Sequence, residues 1–127
     1  MEKPYQTIFE LCDLIREASF SLHRYLRHGH LENVYENGLK HRLEKLDLKV
    51  EQQLPLNVED EDGTVLGNFF ADLFVENQLI IELKAVKALA EAHVAQLLGY
   101  LRATNTEHGL LINLGAPKLE IRKFVLT

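Results

Sequence analysis

The chain has no tryptophan, three prolines and a single cysteine in 127 residues. One cysteine excludes an intramolecular disulfide framework and suits a reducing cytoplasm. Cys12 falls on the apolar stripe of a helix and reads as a small core residue, with no neighbour that would make its thiol reactive. No apolar run approaches the roughly 18 residues that a membrane-crossing helix needs. The first residues, MEKPYQTIFELCDLIREA, carry scattered acids and no apolar block, unlike a signal peptide. A cytoplasmic protein without a membrane partner is the expectation. Lys and Arg are absent from residues 51–82, which hold Glu51, Glu59, Asp60, Glu61, Asp62, Asp72, Glu76 and Glu82. With a formal net charge of −5, strong nonspecific binding to a polyanion is not expected. The following stretch is richer in base, with Lys84, Lys87, Arg102, Lys118, Arg122 and Lys123.

What is present is 46% hydrophobic, enough for one domain with a real core. Apolar residues at three- and four-residue steps predict helices over 6–28 and 31–46, interrupted at Gly29. Gly38, inside the second, calls for close packing against it. Strand-like residues follow at 49–58, where Pro55 favours an edge or a bulge, and at 66–76 and 79–86. The EDEDG segment between the first two is a solvated turn. A helix over 88–104 and strands over 109–114 and 119–126 complete an ααβββαββ order, a mixed sheet flanked by helices.

Two adjacent hydrophobic strands each carry a carboxylate, Asp72 in GNFFADLFVE and Glu82 in LIIELKAV, and the second adds Lys84. Burying an ionised group costs several kcal/mol unless it is compensated. Glu82 and Lys84 point to one side of their strand. Convergence on Asp72 depends on the corner between the strands. A two-residue turn at Asn77-Gln78 sets Asp72 opposite Leu83, on the wrong face. A three-residue turn at Glu76–Gln78, or a bulge, sets it beside Glu82 and gathers Leu73, Val75, Leu79, Ile81 and Leu83 on the other face. The aliphatic pattern prefers the odd turn. Phe70, Phe74, Ile80 and Val86 are expected on the face of the acids, shielding them.

Asp72, a nine-residue gap and then Glu82-Leu83-Lys84 resembles the signature of PD-(D/E)XK nucleases, with Ala71 where a proline usually stands. Gly67 upstream and Gln96-x-x-x-Tyr100 in the following helix are similar to the RecB-like QxxxY branch. Gly29-x-x-Glu32-x-x-Tyr35 is similar to the motif of the small GxxExxY protein family. The likeness runs from about residue 27 to the C-terminus. It implies a restriction-endonuclease-like αβββαβ core, here with an extra N-terminal helix, over a single domain 1–127. It also implies hydrolysis of phosphodiester bonds, in DNA, by a water activated by Mg²⁺ or Mn²⁺. Asp72, Glu82 and Glu32 would be metal ligands, with the Leu83 backbone carbonyl another. Lys84 would act on the water, as base or as electrostatic stabiliser. Tyr35 would brace Glu32, and Gln96 and Tyr100 would orient Lys84 or meet a phosphate, with His93 on the same stripe.

Two other readings use these residues: a nuclease-fold binding or regulatory module with weak catalysis, and a hydrolase of a small phosphorylated substrate, which calls for a closed pocket. Without an appended DNA-binding domain, a nuclease would need a protein partner or a homodimer. His23, His28, His30 and His41 lack a metal-ligand spacing and read as surface residues.

Overall fold

The computed structural model describes residues 2–127. Its elements are α1 (Ile8–Leu26), α2 (Glu32–Glu44), β1 (Val50–Glu59), β2 (Val65–Val75), β3 (Leu79–Lys84), α3 (Glu91–Thr104), β4 (His108–Asn113) and β5 (Glu120–Val125). The five strands form one sheet in sequence order. Neighbours are antiparallel except β3 and β4, which are parallel and joined through α3. The expected order of elements is the observed one. Strand β3 ends at Lys84 rather than at Val86, and α3 starts three residues later than its apolar spacing suggested.

Helices α1 and α2 cover one face of the sheet, and α3 covers the other. Leu11, Ile15, Leu22, Tyr35, Leu39 and Leu43 pack on Leu73, Val75, Leu79, Ile81 and Leu83, the aliphatic set read from strand parity. Cys12 is buried in this layer, where burial raises its thiol pKa. The second layer joins Leu97, Tyr100 and Leu101 to Leu56, Ala71, Ile80 and Leu111. Gly38 lets α2 pack closely on α1, since a β-carbon there would lie 2.8 Å from a Leu22 methyl and make that side chain turn aside. Pro55 sits on β1, an edge strand, where its missing N–H costs nothing.

The hairpin of β1 and β2 is longer than the sheet it feeds. Strand β2 pairs with β3 only over Leu73–Val75, so the distal part of the hairpin runs past the sheet as an arm over α3. Alternation of faces reverses within this hairpin. Val50, Leu73 and Val75 pack toward α1 and α2, whereas Leu54, Leu56 and Ala71 pack toward α3. The switch falls at Gln53, which has φ of 56° and is skipped in the register with β2; a separate irregularity lies near the hairpin tip, between Val58 and Glu59. A left-handed residue inside a strand turns the side chains beyond it to the other side. Phe74 and Ile80 therefore lie in the α3 layer as expected, but Phe70 lies beyond the switch and is exposed. Val86 lies past the end of β3 and is only partly buried.

The corner joining β2 to β3 spans Glu76–Gln78, with Glu76 and Asn77 at positive φ. The Glu76 carboxylate accepts from the Lys49 N–H at 2.6 Å, the Tyr5 hydroxyl at 2.7 Å and the Lys3 ammonium at 3.0 Å. Burial alone would raise its pKa, but these donors together hold it below the usual carboxylate value. Burial, then the bond to Glu76, pushes the Tyr5 hydroxyl up to about 12. A depressed carboxylate pKa contributes stability above its unfolded value, and that stability is lost as pH falls through the folded value. Glu76→Gln is expected to cost about 1–3 kcal/mol at pH 7. Denaturant titrations should show the difference shrinking toward pH 3.

Candidate active site

The register between β2 and β3 is Leu73 with Ile81, Phe74 with Ile80 and Val75 with Leu79. Continued by one rung, it sets Asp72 opposite Glu82, as the three-residue corner requires. At that rung the side chains take over from the backbone ladder. The Leu83 N–H donates to Asp72 Oδ2 at 2.8 Å, and the Asp72 N–H donates to Glu82 Oε2 at 3.2 Å. The two strands part there, with the arm leading one way and β3 the other. Asp72 and Glu82 occupy the fork. The N–H and C=O of a strand residue point to the same side, so the Leu83 carbonyl is directed toward Asp72 as well.

Charge is crowded in the fork. Glu82 is only 3% exposed. Burial, reinforced by the neighbouring Asp72 carboxylate, pushes its pKa up to about 10, and the Lys84 ammonium only partly offsets this. Two residues of α2 face the same place. Glu36, buried, accepts hydrogen bonds from the side-chain amides of Gln52 and Gln53. Its pKa is raised by burial and by Asp72, against the pull of those amides. Glu32, one helical turn earlier, is raised by desolvation and by the charges of Asp72 and Glu36, while Lys84 and the Ala85 amide act the other way. Four carboxylates thus crowd the fork, and the Lys84 charge acts on two of them, Glu32 and Glu82.

Lys84 follows Glu82 on the same strand face. Its ammonium donates to Gln96 Oε1 at 2.8 Å, and Gln96 Nε2 donates to the Tyr100 hydroxyl at 3.2 Å. The Tyr100 hydroxyl is raised by burial and then by the Glu82 charge, which places it beside the fork. Glu32, Asp72, Glu82, Lys84, Gln96 and Tyr100 therefore come together.

Tyr35 does not join them. It is fully buried, its hydroxyl donates to the Arg27 carbonyl at 2.6 Å, and it accepts from the His30 N–H. Ring size and an apolar helix stripe send it into the core, where it ties down the α1–α2 loop rather than Glu32. His93 is turned to the backbone, its Nδ1 accepting the Ala90 N–H at 3.0 Å, so it caps α3. His23 is not a surface residue, since it is buried and its Nε2 lies 2.9 Å from the Ala116 carbonyl.

Three residues of the site escaped the sequence reading. Glu36 stands four residues after Glu32, a spacing that puts both on one helix face. Asn113 and Gly115 fix the backbone after Lys84. The fully buried Asn113 side chain accepts from the Val86 and Gly115 N–H groups, and donates to the Val86 carbonyl and to Glu120 Oε1. A β-carbon at Gly115 would lie 2.3 Å from the Ala85 carbonyl carbon, so only glycine lets these segments meet. Nothing in the INLG segment marks Asn113, because the Val86 backbone it pairs with lies 27 residues away.

Among the described residues, no three His, Cys, Asp or Glu side chains are already drawn into a metal cage. The donor chemistry nonetheless fits a hard divalent cation: carboxylate oxygens with a backbone carbonyl beside them. Crowding that drives a buried Glu to take up a proton is what a cation would relieve.

A mixed five-stranded sheet between helices, split at a rung that carries two carboxylates with a lysine next to them, defines an α/β domain of the restriction-endonuclease-like fold. The chain belongs to the PD-(D/E)XK nuclease superfamily, whose family model matches residues 9–124. Its fold is similar to the crystal structure of SSO0001, with a TM-score of 0.59 and 16% sequence identity over 94% of this chain and 78% of that one. A search of curated proteins found no match. No helix among the described residues is long and apolar enough to cross a membrane.

Proposed function

We propose that this protein is a Mg²⁺- or Mn²⁺-dependent nuclease that hydrolyses phosphodiester bonds in DNA. The observation that carries the reading is the three-residue corner, which sets Asp72 against Glu82 with Lys84 two residues on. Asp72, Glu82 and Glu32 would hold the cation, with the Leu83 carbonyl as a further donor. When bound, a divalent cation lowers the pKa of water and neutralises charge on the phosphate. Lys84, held by Gln96, which Tyr100 holds in turn, orients the attacking water and faces the charge that develops on the phosphoryl oxygens. Gln53 on β1 donates to both Asp72 and Glu36 and so ties Asp72 to α2. Glu32 and Gln96 are exposed at the rim of the fork, above the buried Glu82, so the rim is open to a polymer. That openness favours a nucleic acid over a small phosphorylated molecule.

The test is incubation of labelled single- and double-stranded DNA and RNA with Mg²⁺ or Mn²⁺, comparing wild type, Asp72→Ala and Lys84→Ala. Cleavage of DNA by the wild type and its loss in both variants are expected. Cleavage surviving both substitutions would remove the site assignment. No cleavage on any substrate, together with no metal binding by calorimetry, would leave a nuclease-fold binding module.

A further inference from the structure

We propose that the recess lined by His23, Arg24, Arg27, His28 and Pro117 is a phosphate subsite that holds the nucleic-acid strand beyond the bond being cut. The recess has a volume of about 330 Å³, and no carboxylate lines it. This is unusual in a chain with a net charge of −5. The ion pairs among the described residues engage Lys3, Lys40, Lys49 and His108, and neither Arg24 nor Arg27. Cations in the last turn of a helix are favoured by its dipole, which accounts for Arg24. The same dipole favours Arg27, the C-cap residue, so what marks the recess is that no carboxylate forms an ion pair with either arginine. Arg27 also has φ of 64° with ψ of −178°, a conformation that glycine adopts at less cost.

The walls are held in place before any ligand arrives. The Arg27 N–H donates to the His23 carbonyl, and the Arg27 carbonyl accepts from the buried Tyr35 hydroxyl. The His23 ring rests on the Ala116 carbonyl across the recess. Two guanidinium groups on such a frame suit phosphate oxygens, which they bind through paired N–H donors. Position completes the argument. Ala116 and Pro117 follow Gly115, which packs directly on Ala85, the residue after Lys84. Glu32 comes five residues after Arg27. Recess and fork therefore open at one end of the sheet, beyond the carboxyl ends of parallel β3 and β4, where open α/β sheets take their ligands. The Tyr35 of the GxxExxY-like segment then braces this subsite.

The assignment of the ligand as a nucleic-acid strand rests on the nuclease reading. The test measures anisotropy of a labelled DNA duplex in Ca²⁺ over a series of salt concentrations, for wild type and the Arg24→Gln/Arg27→Gln variant. Removing two phosphate contacts should weaken binding at least about tenfold at low salt and flatten the log–log salt dependence by about 1.8, at roughly 0.9 per contact. Arg24→Lys/Arg27→Lys should restore most of the slope. Cleavage of DNA relative to bis(p-nitrophenyl) phosphate, which has no flanking phosphates, should fall in the glutamine variant. Equal slopes, or an equal loss on both substrates, would overturn the subsite while leaving the nuclease reading intact. Inorganic phosphate competing at the recess as well as an oligonucleotide would overturn its assignment to a strand. A wild type that neither binds nor cleaves DNA would overturn the nuclease reading as well.

Discussion

Metal-free protein carrying Glu82→Gln is expected to melt several degrees above the wild type at pH 8, and to cleave at least about 10³-fold more slowly when metal is supplied. Both effects come from one conflict. Glu82 is buried opposite Asp72, and its pKa is pushed up to about 10. A folded-state value raised above the unfolded one means that the folded protein keeps a proton that the unfolded chain has released. Stability is thus unaffected below about pH 4.5 and declines as pH rises toward 10. At most about 1.4 kcal/mol is lost per pH unit, and less here, because Asp72 shares the charge. Glutamine removes this loss. Its carbonyl oxygen still accepts the Asp72 N–H, and its amide donates toward the Asp72 carboxylate instead of repelling it. Thermal melts in EDTA at pH 5 and pH 8 should show the variant gaining mainly at the higher pH. In the wild type, added Mg²⁺ or Mn²⁺ should stabilise more at pH 8 than at pH 5, because binding requires the ionised carboxylate and releases its proton. The cost appears in catalysis, since losing about 4 kcal/mol of transition-state stabilisation corresponds to a factor near 10³. A variant no more stable than wild type at pH 8 would show that the crowding of Asp72 and Glu82 is not the strain described.

Asn113→Ala is expected to lower stability by about 3 kcal/mol and the melting temperature by about 10 °C. The side chain makes four hydrogen bonds in a fully buried position, and three of them are to backbone groups. Alanine leaves both Val86 groups and the Gly115 N–H unpaired, and frees the segment after Lys84. Small displacements of a catalytic group cost up to about 10²-fold in rate, so activity should fall further than stability alone accounts for. Asn113→Asp is almost the same shape, but it sets a carboxylate against the Glu120 carboxylate and the Val86 carbonyl. It should destabilise at least as much at pH 7, and Glu120→Gln should recover part of the loss. Equilibrium unfolding of both single variants and the double variant isolates the term between the two side chains. If Glu120→Gln gives no recovery, the pairing of Asn113 with Glu120 is not what holds this segment.

The parity of the corner was legible because strand side chains alternate and five aliphatic residues had to share a face. Gly38 and Pro55 were legible for equally local reasons: a missing β-carbon and a missing N–H. What stayed hidden depended on partners remote in sequence. The switch of faces at Gln53 could not be foreseen, because the left-handed residue is a glutamine and not a glycine or asparagine. Phe70 was placed on the wrong face in consequence. Tyr35 was read beside Glu32 from its spacing, yet helical neighbours three apart diverge when one is large enough to be drawn into the core. Glu36 was passed over because a glutamate next to a core tyrosine resembles an ordinary solvated helix residue. Only its contact with Gln52, Gln53 and Asp72 separates it from one.

The corner at Glu76–Gln78 also limits how the gene can drift. Its residues can be exchanged with loss of the Lys3, Tyr5 and Lys49 bonds, but the pairing beyond it has to be kept. A change of length that leaves Val75 opposite Leu79 spares both fold and site. One that slides the pairing by a single residue takes Asp72 from Glu82 and the aliphatic set from the core together. Fold and site are therefore inherited together at this corner.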